Sequence, residues 1–189
     1  MRNNSIFPAA VVFGLGLIAS VSAYLLQVPM GHAQPQDPLF VQMQGHWSGK
    51  GTRTYPPSGR VTQVVTDVEA TTSVVNGVER LTSTNNTTET AAGAQPTQYQ
   101  NVYWIEADPA QAGHYKLSYS VTTGSTAQTV TTEGVYSTDH FSSIQSLGND
   151  YSVDSETQFD AQGSTFTETT TNGSTIILKS VIQYTPASN

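Results

Sequence analysis

Four histidines, His32, His46, His114 and His140, are the residues whose type could bind a metal or carry a proton. Three imidazoles suffice for a zinc site, but the spacing offers no support: each histidine sits in a different segment and none is paired at i, i+2. They read as solvated surface residues. Asp139-His140 and Asp108 could suggest acid–base work, yet "STDHF" and "DPAQAG" read as turns. There is no Gly-x-Ser-x-Gly elbow, no His-Glu-x-x-His and no Gly-rich phosphate loop before a helix. Cysteine is absent, which excludes thiolate metal sites, cysteine nucleophiles and iron–sulfur clusters. No catalytic constellation and no metal ligand set emerges.

Two other groups remain. Lys50, Arg53 and Arg60 cluster near one turn, where they could meet a carboxylate or phosphate, or simply solubilise a strand end. Tyrosines recur at strand spacing: Tyr99, Tyr103 and Ile105 share one parity, Val102 and Trp104 the other. Tyr115, Leu117, Tyr119, Ile176, Leu178 and Tyr184 complete the expected interior set. A buried hydroxyl needs a partner or water, so inward tyrosines tilt the reading toward a cavity rather than a filled core.

The elements that must position these residues begin after an uncharged apolar stretch, 6–28, preceded by Arg2 and followed by "PMGHAQPQDP". A basic start, an apolar run and small-x-small before a polar chain is the layout of a signal peptide over 1–33, cleaved after Ala33 or after Ala23. The run is also long enough to remain as a membrane anchor. Either way an exported location, periplasmic or extracellular, is expected. Removing 1–33 leaves 156 residues with six basic against fourteen acidic side chains, which opposes binding to nucleic acid.

Residues 34–44 read as a linker and a short helix, with Asp37 as N-cap, Pro38 at the first helical position, and Leu39, Phe40 and Met43 on one face. From Gly45 a two-residue alternation takes over. Strands are expected at 46–55, 60–71, 74–84, 98–107, 113–122, 127–137, 139–147, 150–159, 163–171 and 174–185. Asn76-Gly77 and Asn172-Gly173 suit type I′ hairpin turns. The tract "TSTNNTTETAAGAQPTQ", 82–98, reads as a long loop. The fold class is all-β: a single antiparallel up-and-down barrel of about ten strands over 45–185, a short N-terminal helix before it and a tail at 186–189.

Gly45-x-Trp47 after a short helix resembles the start of lipocalin-like (calycin) barrels. The longer Gly45-x-Trp47-x-Gly49-x-Gly51, followed by Tyr55-Pro56, resembles the nitrobindin branch of haem-binding ten-stranded barrels. The resemblance implies that Trp47 packs across the closed end, or floors a ligand site. It implies a small, largely apolar ligand held inside the barrel, with Trp47, Tyr103, Tyr115, Tyr119 and Tyr184 as binding residues and Arg53 at the rim. The rival is a filled-core structural or interaction protein of the cell envelope. The nitrobindin pattern also implies a haem-ligating His on a C-terminal strand; here those strands carry none, and Tyr184 is the remaining axial candidate. Haem is therefore disfavoured, and no cofactor is expected.

Overall fold

The computed structural model describes residues 36–187 except 124–125, with the side chains of 121–128 left aside. The segment read as a leader lies outside the described residues. Ten antiparallel strands close on themselves, each paired with its neighbours in sequence and β1 with β10. They are β1 (Gly45–Tyr55), β2 (Arg60–Val75), β3 (Val78–Ala91), β4 (Thr97–Ala107), β5 (His114–Thr123), β6 (Thr126–Ser137), β7 (His140–Gly148), β8 (Tyr151–Asp160), β9 (Gly163–Asn172) and β10 (Thr175–Pro186). Closure leaves no unpaired edge.

Alternation decides which side chains face inward. On β2, Thr62, Val64, Thr66, Val68 and Ala70 are buried while the residues between them are exposed. The tyrosine parity holds as well, since Tyr103 lies opposite Tyr119 across β4 and β5, with ring centroids 5.9 Å apart.

The one helix among the described residues, α1 (Pro38–Met43), forms as its sequence dictates. The Asp37 side chain accepts from the Leu39 and Phe40 amides, and Pro38 occupies a position where no amide is needed. Leu39 and Phe40 are fully buried, packed with Ala70, Leu81, Ile105, Tyr115, Phe141 and Phe159. The helix therefore plugs one end, the end that carries the β2–β3, β4–β5, β6–β7 and β8–β9 turns.

Three local expectations need correction. The tract at 82–98 is not a loop: β3 runs through it to Ala91, and only a short turn precedes β4. Its β-branched threonines pair with β2 on one side and β4 on the other, which low complexity had masked. The strand expected from 74 begins at Val78, because Val74 and Val75 end β2 and Asn76-Gly77 form the turn. There both residues have positive φ, 53° and 81°, as a type I′ turn requires. At the other Asn-Gly only Gly173 does, at 58°; Asn172 stays in β9 and Gly173-Ser174 make the turn.

Candidate functional site

The inner face of the opposite half is polar. Arg53 stands opposite Thr62 on β2 and Ser180 on β10, Ser180 opposite Glu168 on β9, and Glu168 opposite Ser155 on β8. Ser155 in turn faces Ser143 on β7, and their hydroxyls lie 2.8 Å apart. A polar belt thus spans six neighbouring strands.

Arg53 anchors the belt. Its Nη1 donates to Glu89 Oε2 at 3.0 Å and to the Tyr99 hydroxyl. Glu89 Oε1 accepts from Tyr55 at 2.8 Å and from Thr62 at 2.7 Å. Burial works against the Glu89 charge, but the Thr62 and Tyr55 hydrogen bonds and the Arg53 charge outweigh it and hold the carboxyl below its usual range. Burial likewise opposes the Arg53 charge, and the fields of Tyr99, Glu168 and Glu89 more than offset it.

Glu168 is treated differently. It lies deep in the barrel, and burial raises its pKa while the Arg53 charge pulls the other way without prevailing. Among the described residues no hydrogen bond or ion pair reaches its carboxyl. Tyr103 and Tyr184 sit equally deep. Burial pushes the Tyr184 phenol up to about 12, against the pull of Arg53. The Tyr103 phenol rises further, through burial first and then the fields of Glu168 and Tyr184. The two phenols and the carboxyl all take the inward parity of their strands. Among the described residues neither hydroxyl finds a hydrogen-bond partner. All three residues keep part of their surface accessible although they point inward. Three more inward atoms, Arg53 Nε, Gln145 Nε2 and Ser180 Oγ, are buried without a partner.

Of the residues expected to bind a ligand, Arg53, Tyr103, Tyr119 and Tyr184 meet here, with the Tyr119 hydroxyl donating to Gln145 Oε1 at 2.7 Å. Trp47 and Tyr115 do not. Trp47 Nε1 donates to Met43 O at 2.9 Å, and the Tyr115 hydroxyl to Asp37 Oδ1 at 2.8 Å, so both belong to the plug. Lys50 and Arg60 are exposed, Arg60 lying over the Tyr55 ring. Glu89, Glu168, Ser180 and Gln145 were not anticipated. The available signal was parity with Phe166 for Glu168; for Glu89 the loop reading hid it.

The described histidines lie away from this interior. His46, His114 and His140 take the outward parity of their strands, near Asp67, Gln111 and Glu156 respectively. Among the described residues no imidazole faces inward and no group of three or more metal-ligating side chains forms. A recess of about 250 Å³ outside the β4–β5 turn is lined by Asp108, His114, Lys116 and Glu133. Its histidine is already paired with Gln111. Among the described residues no helix is long and apolar enough to cross a membrane.

Gly49 explains how Tyr184 reaches the interior. A Cβ there would fall 2.5–2.8 Å from Thr66 and the Tyr184 ring, so the glycine is the floor on which that ring lies.

No family model matches the chain, and no curated protein does. Among solved structures it is similar to an S-type phycobiliprotein lyase from Guillardia theta, with a TM-score of 0.59 at 8% identity over 80% of this chain and 92% of that one. At that identity the likeness carries the fold alone, a closed antiparallel barrel, and does not test the nitrobindin resemblance.

Proposed function

We propose that the protein binds a small molecule inside the half of the barrel opposite α1. One observation carries this reading: Tyr103, Glu168 and Tyr184 point inward, lie deep, and still keep accessible surface and unused hydrogen-bonding capacity. A filled core would cover them, as it covers Leu39, Phe40 and Leu81 at 0% exposure. Concave sites with a few convergent polar groups are where ligands bind. That a phycobiliprotein lyase shares the barrel supports a ligand role over a purely structural one. The polar belt argues for a ligand with an apolar ring body and a polar group, rather than a wholly apolar one. The uncharged segment at 6–28 and the small-x-small pattern after it support export, with the barrel meeting its ligand outside the cytoplasm.

Titration with Nile red, an uncharged fluorescent dye, tests the reading. Saturable enhancement at one dye per chain is expected, abolished in a folded Ser155→Phe variant whose new ring enters the belt. Enhancement that does not saturate, or that survives the variant unchanged, would refute interior binding.

A further inference from the structure

Closure gives every strand two neighbours, but not along its whole length. β5 and β6 pair with each other as far as Thr123 opposite Thr126. β4 and β5 pair only from Ala107 opposite Tyr115 to Tyr103 opposite Tyr119. β6 and β7 pair only from Ser137 opposite His140 to Gly134 opposite Ser143. Beyond those points β4 and β5, and β6 and β7, run on as strands with no ladder between them. The base of the β5–β6 hairpin is held because Tyr115, Leu117 and Tyr136 pack into the plug's core. Gly134 makes the last contact: a Cβ there would fall 2.5 Å from the Phe141 ring. Further out β6 turns only Thr132 and Val130 inward, both half-buried, so little apolar area holds that stretch against β7.

Side chains bridge the β6–β7 seam where the ladder stops. Thr132 Oγ1 donates to Ile144 O at 2.9 Å, in place of a backbone amide. Behind β6, the Tyr119 hydroxyl donates to Gln145 Oε1 at 2.7 Å and so ties β5 to β7, while Gln145 Nε2 is buried without a partner. Resting on interior binding as argued above, we propose that the ligand enters and leaves sideways, through the β6–β7 seam. Residues 129–133 of β6 are the moving wall, and the Thr132 hydroxyl is its latch. Opening costs side-chain hydrogen bonds rather than a backbone ladder, which places it among the cheap local motions of the fold. The β4–β5 seam lets β5 follow β6 without breaking pairs of its own. Tyr119 and Gln145 stand just inside the passage, whereas the other end of the barrel is stoppered by α1.

A chain without cysteine lets one engineered disulfide test this. Glu133 and Ile144 are the first positions past the last β6–β7 pair, and both are exposed. Glu133→Cys with Ile144→Cys, once oxidised, fixes the seam shut at the short Cα separation a disulfide demands. Stopped-flow mixing with Nile red should then show association and dissociation both slowed by about tenfold or more, with affinity changed by less than about threefold. Reduction should restore the original rates. A control bridge from Thr169→Cys to Lys179→Cys, partners within the β9–β10 ladder, should leave both rates unchanged. Thr132→Val, which needs no oxidation, removes the bond to Ile144 and should speed both rates about three- to tenfold, the worth of one hydrogen bond. Unchanged rates in the bridged protein or in Thr132→Val, or equal slowing by the control bridge, would overturn the seam as the route. Saturable Nile red binding alongside any of those results would leave interior binding standing; its absence from the unaltered protein would discard both.

Discussion

The two ends of the barrel use the same residue types for opposite purposes. At the plugged end every aromatic polar atom is spent: Tyr115 donates to Asp37, Trp47 to Met43, and Tyr136 accepts from Gln42. Their rings stack edge to face, Tyr115 on Phe141 at 85° and Tyr136 on Phe159 at 72°. In the half opposite α1, Tyr103 and Tyr184 keep free hydroxyls among the described residues, and Arg53, Gln145 and Ser180 bury unpaired atoms. Burying a polar group without a partner costs free energy. Arg53 Nε, Gln145 Nε2 and Ser180 Oγ carry that cost, whereas the Tyr103 and Tyr184 hydroxyls are not among the buried unpaired atoms and stay open to a partner from outside the chain.

The contrast predicts that mutations at the two ends differ in what they damage. Phe40→Ala should cost most, about 3–5 kcal/mol of stability by urea denaturation, because the plug has no freedom to collapse around the lost ring. Arg53→Met follows, at about 3 kcal/mol, since it strands the Glu89 carboxyl among hydroxyls alone; Arg53→Met combined with Glu89→Gln should recover much of that loss in a double-mutant cycle. Trp47→Phe loses both the hydrogen bond to Met43 and part of the ring's volume, a cost of about 2 kcal/mol, with dye binding unaffected.

The smallest effect has the opposite sign. The folded-state pKa of Glu168 is raised, so the folded protein binds that proton more tightly than the unfolded chain does. Stability from this group is then lost as pH rises from the ordinary carboxyl value through the folded one. Glu168→Gln should raise the thermal midpoint by about 2–4 °C at neutral pH, and the gain should vanish in acid. Glu89, held low, behaves conversely: its contribution is present above the ordinary carboxyl value and disappears as pH falls through its depressed one. A gain that persists below the ordinary carboxyl value, or a destabilised variant, would place Glu168 among structural residues.

The fold was legible because alternation and turn chemistry are local. Asp37 and Pro38 announce the helix, and Asn76-Gly77 announces its hairpin. The site was half legible for the same reason. Tyrosines on an apolar alternation, such as Tyr115, Leu117 and Tyr119, declare their face, whereas Glu168 in "TFTETTT" has only Phe166 to mark which side is in. Glu89 was lost with the Thr-rich tract, whose burial comes from pairing across strands rather than from hydrophobicity. Trp47 and Tyr115 share the inward parity of Tyr103 and Tyr184, so alternation alone cannot tell the plugged end from the opposite half; position along the barrel axis does, and that is set by register.

Tyrosine NMR separates the two regions most directly. In protein carrying ring-¹³C tyrosine, titration with Nile red should shift the Tyr103 and Tyr184 ring signals saturably and together while Tyr115 stays in place. Movement confined to Tyr115 or to exposed rings, or no movement at saturating dye, would contradict a ligand-binding interior.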